Sequence, residues 1–234
     1  MSFWDPPAWA EQQPQPREHL PDPRPPWWGA PSNELGVALP VRLLAGRSER
    51  AVVALTHLSV FSSGVAFDLV AMRHPGRVPA EEDEWDVVDP FEPPFGRRFR
   101  HRRGSRDVPR SILRFGVEFS DGRKATTLHP WALTLGSPPP VVLQQGGGGG
   151  GDTRWHSEFW LWPLPPPGPL AFVVEWPSEQ IELTRTEIDA QPILDAAQNV
   201  EQLWPESEER NYGTSSWRYG TISTELPDSP GPAG

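Results

Sequence analysis

Residues 50–69, RAVVALTHLSVFSSGVAFDL, carry the pattern that decides the fold. Apolar residues alternate with other residues on both sides of Ser62-Ser63-Gly64, which is typical of two β-strands joined by a tight turn. In the second strand, Phe67 and Leu69 alternate with Asp68. In the first strand we expect two apolar faces, with Val53 and Leu55 on one and Val52, Leu58 and Val60 on the other. The stretch therefore predicts a β-meander.

The same alternation recurs along the rest of the chain. It predicts further strands in six stretches: Val37–Leu43, Ile112–Phe119, Lys124–Leu128, Thr153–Leu161, Leu170–Trp176 and Gln180–Thr186. Apolar residues at helical spacing follow Asp189, a candidate N-cap, and stop at Pro205, so we predict one α-helix over residues 190–204. The predicted fold is a mostly β, antiparallel β-sandwich of about seven to nine strands with one C-terminal α-helix and disordered tails.

Composition divides the chain into three parts. Residues 1–33 are a proline- and tryptophan-rich lead, in which we expect extended backbone and tryptophan rings packed on the domain. Residues 34–205 are predicted to form a single β-sandwich domain, and residues 206–234 a disordered acidic tail. Within the domain we predict a long charged loop at 74–109. We also predict a glycine-rich loop at 144–152, because six consecutive glycines separate two predicted strands there.

Charge and cysteine content restrict the function. The 234 residues contain no cysteine, which excludes disulfides and thiolate metal sites and fits a reducing compartment. Up to Gly151 there are 17 acidic and 17 basic residues, whereas from Asp152 onward there are 14 and 4. This acidic C-terminal third disfavours binding to nucleic acid or an anionic membrane. Since no segment has the character of a secretory signal or of a membrane span of about 18 apolar residues, we expect a cytoplasmic protein.

The sequence identifies no catalytic residue, no metal site and no cofactor site. The glycine tract lacks the lysine and the strand-to-helix context of a phosphate-binding loop. His156 and Glu158 share a face of a predicted strand and could ligate a metal with His57 or His129, but a polar sheet face is the favoured interpretation of these residues. Glu158 and Glu175, on successive predicted strands, could form a glycosidase pair, although no motif supports one. The pattern favours a non-enzymatic function.

Two segments of the C-terminal half resemble known sequences. FWLWPLPP at 159–166 and FVVEWP at 172–177 are similar to segments of uncharacterised hypothetical proteins from GC-rich actinobacteria. Lys124 is the single lysine among 21 basic residues, which also fits a GC-rich genome. The resemblance implies no activity.

Two binding functions fit these features. The first is a non-enzymatic, protein-interaction module of the cytosol that binds a protein partner through the charged loop and the proline- and tryptophan-rich lead. Arginine is common at protein interfaces, where its planar fork matches carboxylates. The arginines expected to bind the partner are Arg97, Arg98, Arg100, Arg102 and Arg103. The oligomeric state stays open.

The alternative function is a carbohydrate-binding module or a glycosidase-like β-sandwich. Trp160 and Trp162 share a predicted strand face with His156 and Glu158. Exposed indole rings stack on sugars while neighbouring polar groups bind the hydroxyls. The competing interpretation is that these tryptophans pack in the core or under the prolines that follow Trp162.

Overall fold

The structure is a computed structural model that describes residues 25–77, 89–91, 108–128, 139–151 and 153–204. The described residues form one α-helix, α1 (Gln191–Ala197), and twelve strands. The strands are β1 (Glu34–Leu35), β2 (Val37–Leu39), β3 (Leu43–Arg47), β4 (Ala51–Val60), β5 (Val65–Arg73), β6 (Arg114–Glu118), β7 (Lys124–Thr126), β8 (Val142–Gly151), β9 (Arg154–Trp162), β10 (Pro169–Trp176), β11 (Ile181–Asp189) and β12 (Glu201–Gln202).

Two antiparallel sheets make up most of the domain. The larger has the order β2-β4-β5-β9-β8, with β3 also paired to β4, and the smaller has the order β11-β10-β6-β7. The short strands β1 and β12 pair separately. The predicted mostly β sandwich with a C-terminal helix is therefore confirmed.

The core lies between the two sheets and is built on phenylalanine. Phe67 and Phe159 come from the six-stranded sheet, and Phe115 and Phe172 from the four-stranded sheet. Each ring is at most 2% exposed. The Phe115 and Phe159 ring centroids lie 5.2 Å apart, and those of Phe67 and Phe172 lie 5.8 Å apart. Contacts of this kind stabilise beyond the area they bury, so they fix how the sheets face each other.

A buried ion pair forms a second connection between the sheets. Arg73 ends β5, and Glu179 lies in the short 3-10 turn between β10 and β11. Arg73 Nε and Glu179 Oε1 are 3.0 Å apart, and the two side chains are 8% and 6% exposed. The guanidinium carbon lies 5.2 Å from the ring centroid of Trp155 and 5.6 Å from that of Trp176. Both indoles therefore help to hold the buried cation.

A β-bulge in β4 corrects the predicted faces of that strand. The pairing of β4 with β5 shifts between Thr56 and Ser59, and His57 has a φ of 52°. The extra residue in β4 shifts the alternation of side chains by one position. The apolar side chains on both sides of the bulge therefore point into the core. Those at most 1% exposed are Val53, Leu55, Leu58 and Val60. The prediction that Leu58 and Val60 lie opposite Val53 and Leu55 was wrong.

The glycine tract is a strand and not the predicted loop. Residues 146–151, called the glycine segment below, belong to β8, and the last four of them pair with β9 from Arg154 to Ser157. The connection between the two strands is reduced to residues 152–153. Glycine has a low strand propensity, but propensity depends strongly on context. Here the pairing with β9 decides the conformation.

The helix is shorter than the predicted range 190–204. The N-cap is Ala190 and not the predicted Asp189, which lies one residue earlier and accepts a hydrogen bond of 2.9 Å at its Oδ1 from the backbone N–H of Gln191. At the other end, the Asn199 side chain donates to the carbonyl oxygen of Asp195, which satisfies a helix-end carbonyl and ends the helix. The chain then enters β12 and pairs with β1. Leu203 and Trp204, predicted to be helical, lie beyond it and are exposed.

Candidate binding surface

One face of the six-stranded sheet points away from the core, and we call it the outer face. His156, Glu158, Trp160 and Trp162 lie on it, because they alternate along β9 with core residues such as Phe159. The shared face expected from the sequence is therefore present. His156 and Glu158 are exposed and Trp162 is half-buried, whereas Trp160 is only 4% exposed.

Trp160 is covered by a segment far away in the sequence. Its indole Nε1 donates a hydrogen bond of 3.0 Å to the carbonyl oxygen of Pro26. Its ring also contacts Phe61 at a centroid distance of 5.8 Å. Next to it, Trp27 packs edge-on against Trp162 at 5.7 Å. An open indole platform is therefore absent at Trp160, and Trp27 is one lead tryptophan that packs on the domain as expected.

Carboxylates and a histidine continue the outer face beside Glu158. Asp68 on β5 is the direct cross-strand neighbour of Glu158. The Asp68 carboxylate contacts His57 Nδ1 at 3.3 Å, and His57 stands on the bulge with its side chain 83% exposed. The Glu158 side chain makes no hydrogen bond or ion pair with another residue in the described part of the chain. Asp68 was not predicted as a site residue, although its alternation with Phe67 and Leu69 places it on this face.

The proposed carboxylate pair of Glu158 and Glu175 was wrong. Glu158 lies on β9 in the six-stranded sheet, and Glu175 lies on β10 in the four-stranded sheet. The proline-rich connection between β9 and β10 carries the chain from one sheet to the other, so the two strands are not neighbours. Glu175 instead pairs with Arg114 at 2.5 Å.

Metal ligation finds no support on this face. Among the residues that the structure describes, no group of three His, Cys, Asp or Glu side chains is placed to hold a metal ion. His129, one of the two suggested third ligands, lies outside those residues, and His57 contacts Asp68.

No helix in the described ranges is long and apolar enough to cross a membrane.

The second feature of this sheet is its edge at β8. Across the described residues, β8 pairs with β9 alone, so one side of its backbone has no strand partner. Five of the six residues in the glycine segment are exposed. A one-residue bulge lies between Gln145 and Gly148, and regular pairing resumes beyond it. Four residues past the bulge thus present a bare, extended backbone.

Space around the glycines differs from one residue to the next. A Cβ atom added to Gly150 would lie 2.3 Å from the carbonyl oxygen of Arg154, and one added to Gly148 would lie 2.6 Å from that of His156. Gly149 and Gly151 have nothing within 4 Å of the same position. Glycine is therefore required for the close approach of β8 to β9 at two positions only.

The other sheet edges carry the protections that natural proteins use against unwanted pairing. Short strands, proline and charged side chains are the usual devices. β2 and β7 have three residues each, and Pro40 follows β2. β3 has five residues and ends in a charged residue. β11 is nine residues long but carries Glu182, Arg185, Glu187 and Asp189. In contrast, β8 is ten residues long and has neither a charge nor a proline.

The charges of β11 are held in place. Arg185 contacts Glu187 at 3.0 Å and Glu118 of β6 at 3.1 Å. Its hydrogen bond to Glu187 raises the pKa of the Arg185 guanidinium, and burial opposes this effect. A second strand that approached β11 would have to displace these contacts, whereas among the described residues no ion pair covers the edge of β8.

Comparisons with known proteins give no relative: no family model, no curated protein and no solved structure matches the chain.

Five arginines are predicted to bind a partner, and all of them lie outside the described residues: Arg97, Arg98, Arg100, Arg102 and Arg103. The described site residues are therefore those of the outer face and of the β8 edge.

Proposed function

We propose that the protein is a non-enzymatic interaction module that binds an extended segment of a protein partner by strand addition to β8. The observation that carries this proposal is the edge itself, which is ten residues long, uncharged and without a described strand on its outer side. In strand addition, main-chain hydrogen bonds supply the affinity and the side-chain surroundings supply the specificity. The glycine segment can form these main-chain hydrogen bonds without steric hindrance, because it has no side chains.

The charged loop has a place in this proposal as a second contact. Its arginines would bind carboxylates of the same partner, since the guanidinium fork matches a carboxylate. Reversing the charge of Arg97, Arg98, Arg100, Arg102 and Arg103 together is expected to weaken binding of the partner. It should leave binding of a short peptide at β8 unchanged. A partner that binds the reversed variant as tightly as the wild type would contradict the role of the arginines.

Hydrogen exchange measured by NMR tests the strand addition directly. In β8, successive backbone N–H groups point to opposite sides, so alternate glycine amides should exchange slowly and rapidly. The probe is the peptide acetyl-Thr-Val-Thr-Val-Thr-Val-Thr-amide, and the full-length protein is used. We expect the rapid glycine amides to become protected when the peptide binds, and the amides of β11 to stay unchanged.

The matched control is the same peptide N-methylated at two adjacent central residues. It keeps the side chains but loses donors on both of its edges, so it should not protect the glycine amides. Equal protection by both peptides, or no protection within residues 146–151, would count against strand addition.

Carbohydrate binding on the outer face is a second candidate. The observation in its favour is that half-buried Trp162 stands on the same face as His156 and Glu158. Titration with a panel of soluble polysaccharides should then quench tryptophan fluorescence, and the quenching should be lost in Trp162→Ala. Because Trp204 is 57% exposed and does not belong to β9, Trp204→Ala is the control. If no glycan quenches, this candidate fails.

A further inference from the structure

We propose that the segment added to β8 carries an arginine or lysine that reaches across the glycines to Glu158. This inference rests on the proposed function and specifies the chemistry of the partner. It follows from three features of the described part of the outer face: the position of the Glu158 carboxylate, its lack of a side-chain partner there, and the two glycines that lie between it and the edge.

The Glu158 carboxylate leans toward β8. A Cβ atom placed on Gly146 would lie 3.7 Å from Glu158 Oε2, and one placed on Gly147 would lie 3.8 Å from it. The carboxylate oxygen therefore lies next to the bulge, close to the edge of the sheet. Neighbouring strands are about 4.8 Å apart, so an added strand would run about 10 Å from β9. An arginine or lysine side chain that extends from the added strand over the glycines can meet the Glu158 side chain, which extends from β9, and the two together span this distance.

The local charge favours a cation at this point. Two like charges directly opposite each other on adjacent strands are destabilising, and Asp68 faces Glu158 in this way. His57 Nδ1 lies 3.3 Å from the Asp68 carboxylate and 3.3 Å from the Thr56 hydroxyl, and it makes no recorded contact with Glu158 among the described residues. Within the described residues, the Glu158 side chain has neither a hydrogen bond nor an ion pair. A basic residue supplied by the partner would neutralise this carboxylate, which has no partner among the described residues.

The missing side chains at Gly146 and Gly147 keep the path open. On an ordinary edge strand, a side chain at these positions would stand between the added strand and β9. A Cβ at Gly147 would meet nothing closer than 3.8 Å, so a larger residue fits there without disturbing the backbone. Gly147→Val should therefore block the path and leave the fold intact. Gly149 has open space around it, which makes Gly149→Val the matched control.

Two peptides test the inference on the full-length protein. One is acetyl-Thr-Val-Thr-Arg-Thr-Val-Thr-amide, and the other has glutamate in place of arginine. We expect the arginine peptide to bind the wild type about three- to fivefold more tightly, as for an exposed ion pair. The ratio should fall to about one in Glu158→Gln and in Gly147→Val. It should persist in Gly149→Val.

The possible failures are distinguishable. If both peptides bind equally to the wild type and protect the glycine amides, strand addition stands and the basic contact is overturned. The same holds if Glu158→Gln leaves the preference intact. If neither peptide protects the glycine amides, the proposed function fails, and this inference fails with it. A peptide preference confined to high concentration without amide protection also overturns the inference, because it indicates charge attraction away from β8.

Discussion

At the scale of single residues, the six glycines of β8 are not equivalent. Gly148 and Gly150 approach the backbone of β9 so closely that a Cβ atom would collide with it, whereas Gly149 and Gly151 stand in open space. Identical neighbours in the sequence thus meet different requirements in the fold. The difference can be measured with single methyl groups.

Gly150→Ala is expected to destabilise the protein by about 1–3 kcal/mol, because the added carbon forces β8 away from β9. Gly149→Ala should be neutral or stabilise by about 0.5–1 kcal/mol, since alanine loses less backbone entropy on folding. Urea denaturation of both variants gives the two free energies of unfolding. Equal values would contradict the close approach at Gly150.

At the scale of elements, the hairpin of β6 and β7 turns on Asp121. The Asp121 carboxylate accepts hydrogen bonds from the backbone N–H of Arg123 at 3.1 Å and from its Nε at 2.7 Å. These two hydrogen bonds hold the pKa of Asp121 below its ordinary value of 3.8, and the bond from the backbone N–H of Arg123 has the larger effect. A lowered folded-state pKa contributes stability that is present in full above the unfolded-state value and is lost as the pH falls through the folded-state value.

Asp121→Asn should therefore lower stability at pH 7, and the difference from the wild type should shrink as the pH falls below 3.8. The measurement is the free energy of unfolding of both proteins as a function of pH. Glu182→Gln, at an exposed acid on β11, serves as the control for the loss of one negative charge. A constant difference down to acid pH would be evidence against the carboxylate contact.

The lead residues Pro26 and Trp27 act as a second element on the outer face. Removing the Trp27 ring loses its edge-on contact with Trp162, and pairs of this kind contribute about 0.5–1.5 kcal/mol. We expect Trp27→Ala to lower the unfolding temperature and to shift the 19F resonances of fluorotryptophan at Trp160 and Trp162. Trp204→Ala should leave both resonances in place, because Trp204 is exposed. Unchanged resonances in Trp27→Ala would exclude the contact.

How far the sequence predicted these elements depends on what determines each one. The strands β5, β6 and β10 were predictable, because alternation of apolar residues is local. The glycine segment was not, since its conformation depends on pairing with β9 and not on its own propensity. The shared face of His156 and Glu158 followed from the strand period. The burial of Trp160 did not, because its cover, Pro26, lies 134 residues away.

At the scale of the whole molecule, the buried charge pair of Arg73 and Glu179 links the two sheets, and Arg50 Nε also lies 3.6 Å from Glu179 Oε2. Arg73 and Glu179 come from different sheets, and both are nearly inaccessible to water. Removing one partner of such a pair leaves a buried charge without compensation and usually costs about 3–5 kcal/mol. The pair therefore makes the packing of the sheets sensitive to a single substitution.

Glu179→Ala is expected to destabilise the fold by about 3–5 kcal/mol, whereas Glu182→Ala on the exposed part of β11 should change stability by at most about 0.5 kcal/mol. The double variant Arg73→Met, Glu179→Leu should recover much of the loss, because apolar residues can replace a buried pair. Chemical denaturation measures all three. If Glu179→Ala is as stable as the wild type, the charge pair does not stabilise the packing of the two sheets.

The bulge in β8 has a consequence for how this chain can vary in length. Between Gln145 and Gly148 the strand contains one residue more than regular pairing with β9 needs. Because the residues there are all glycine, removing one leaves every remaining side chain opposite its present neighbour and only straightens the ladder. A glycine repeat of this kind tolerates loss of a residue in the middle of a strand, where most strands would have every later side chain turned to the wrong face.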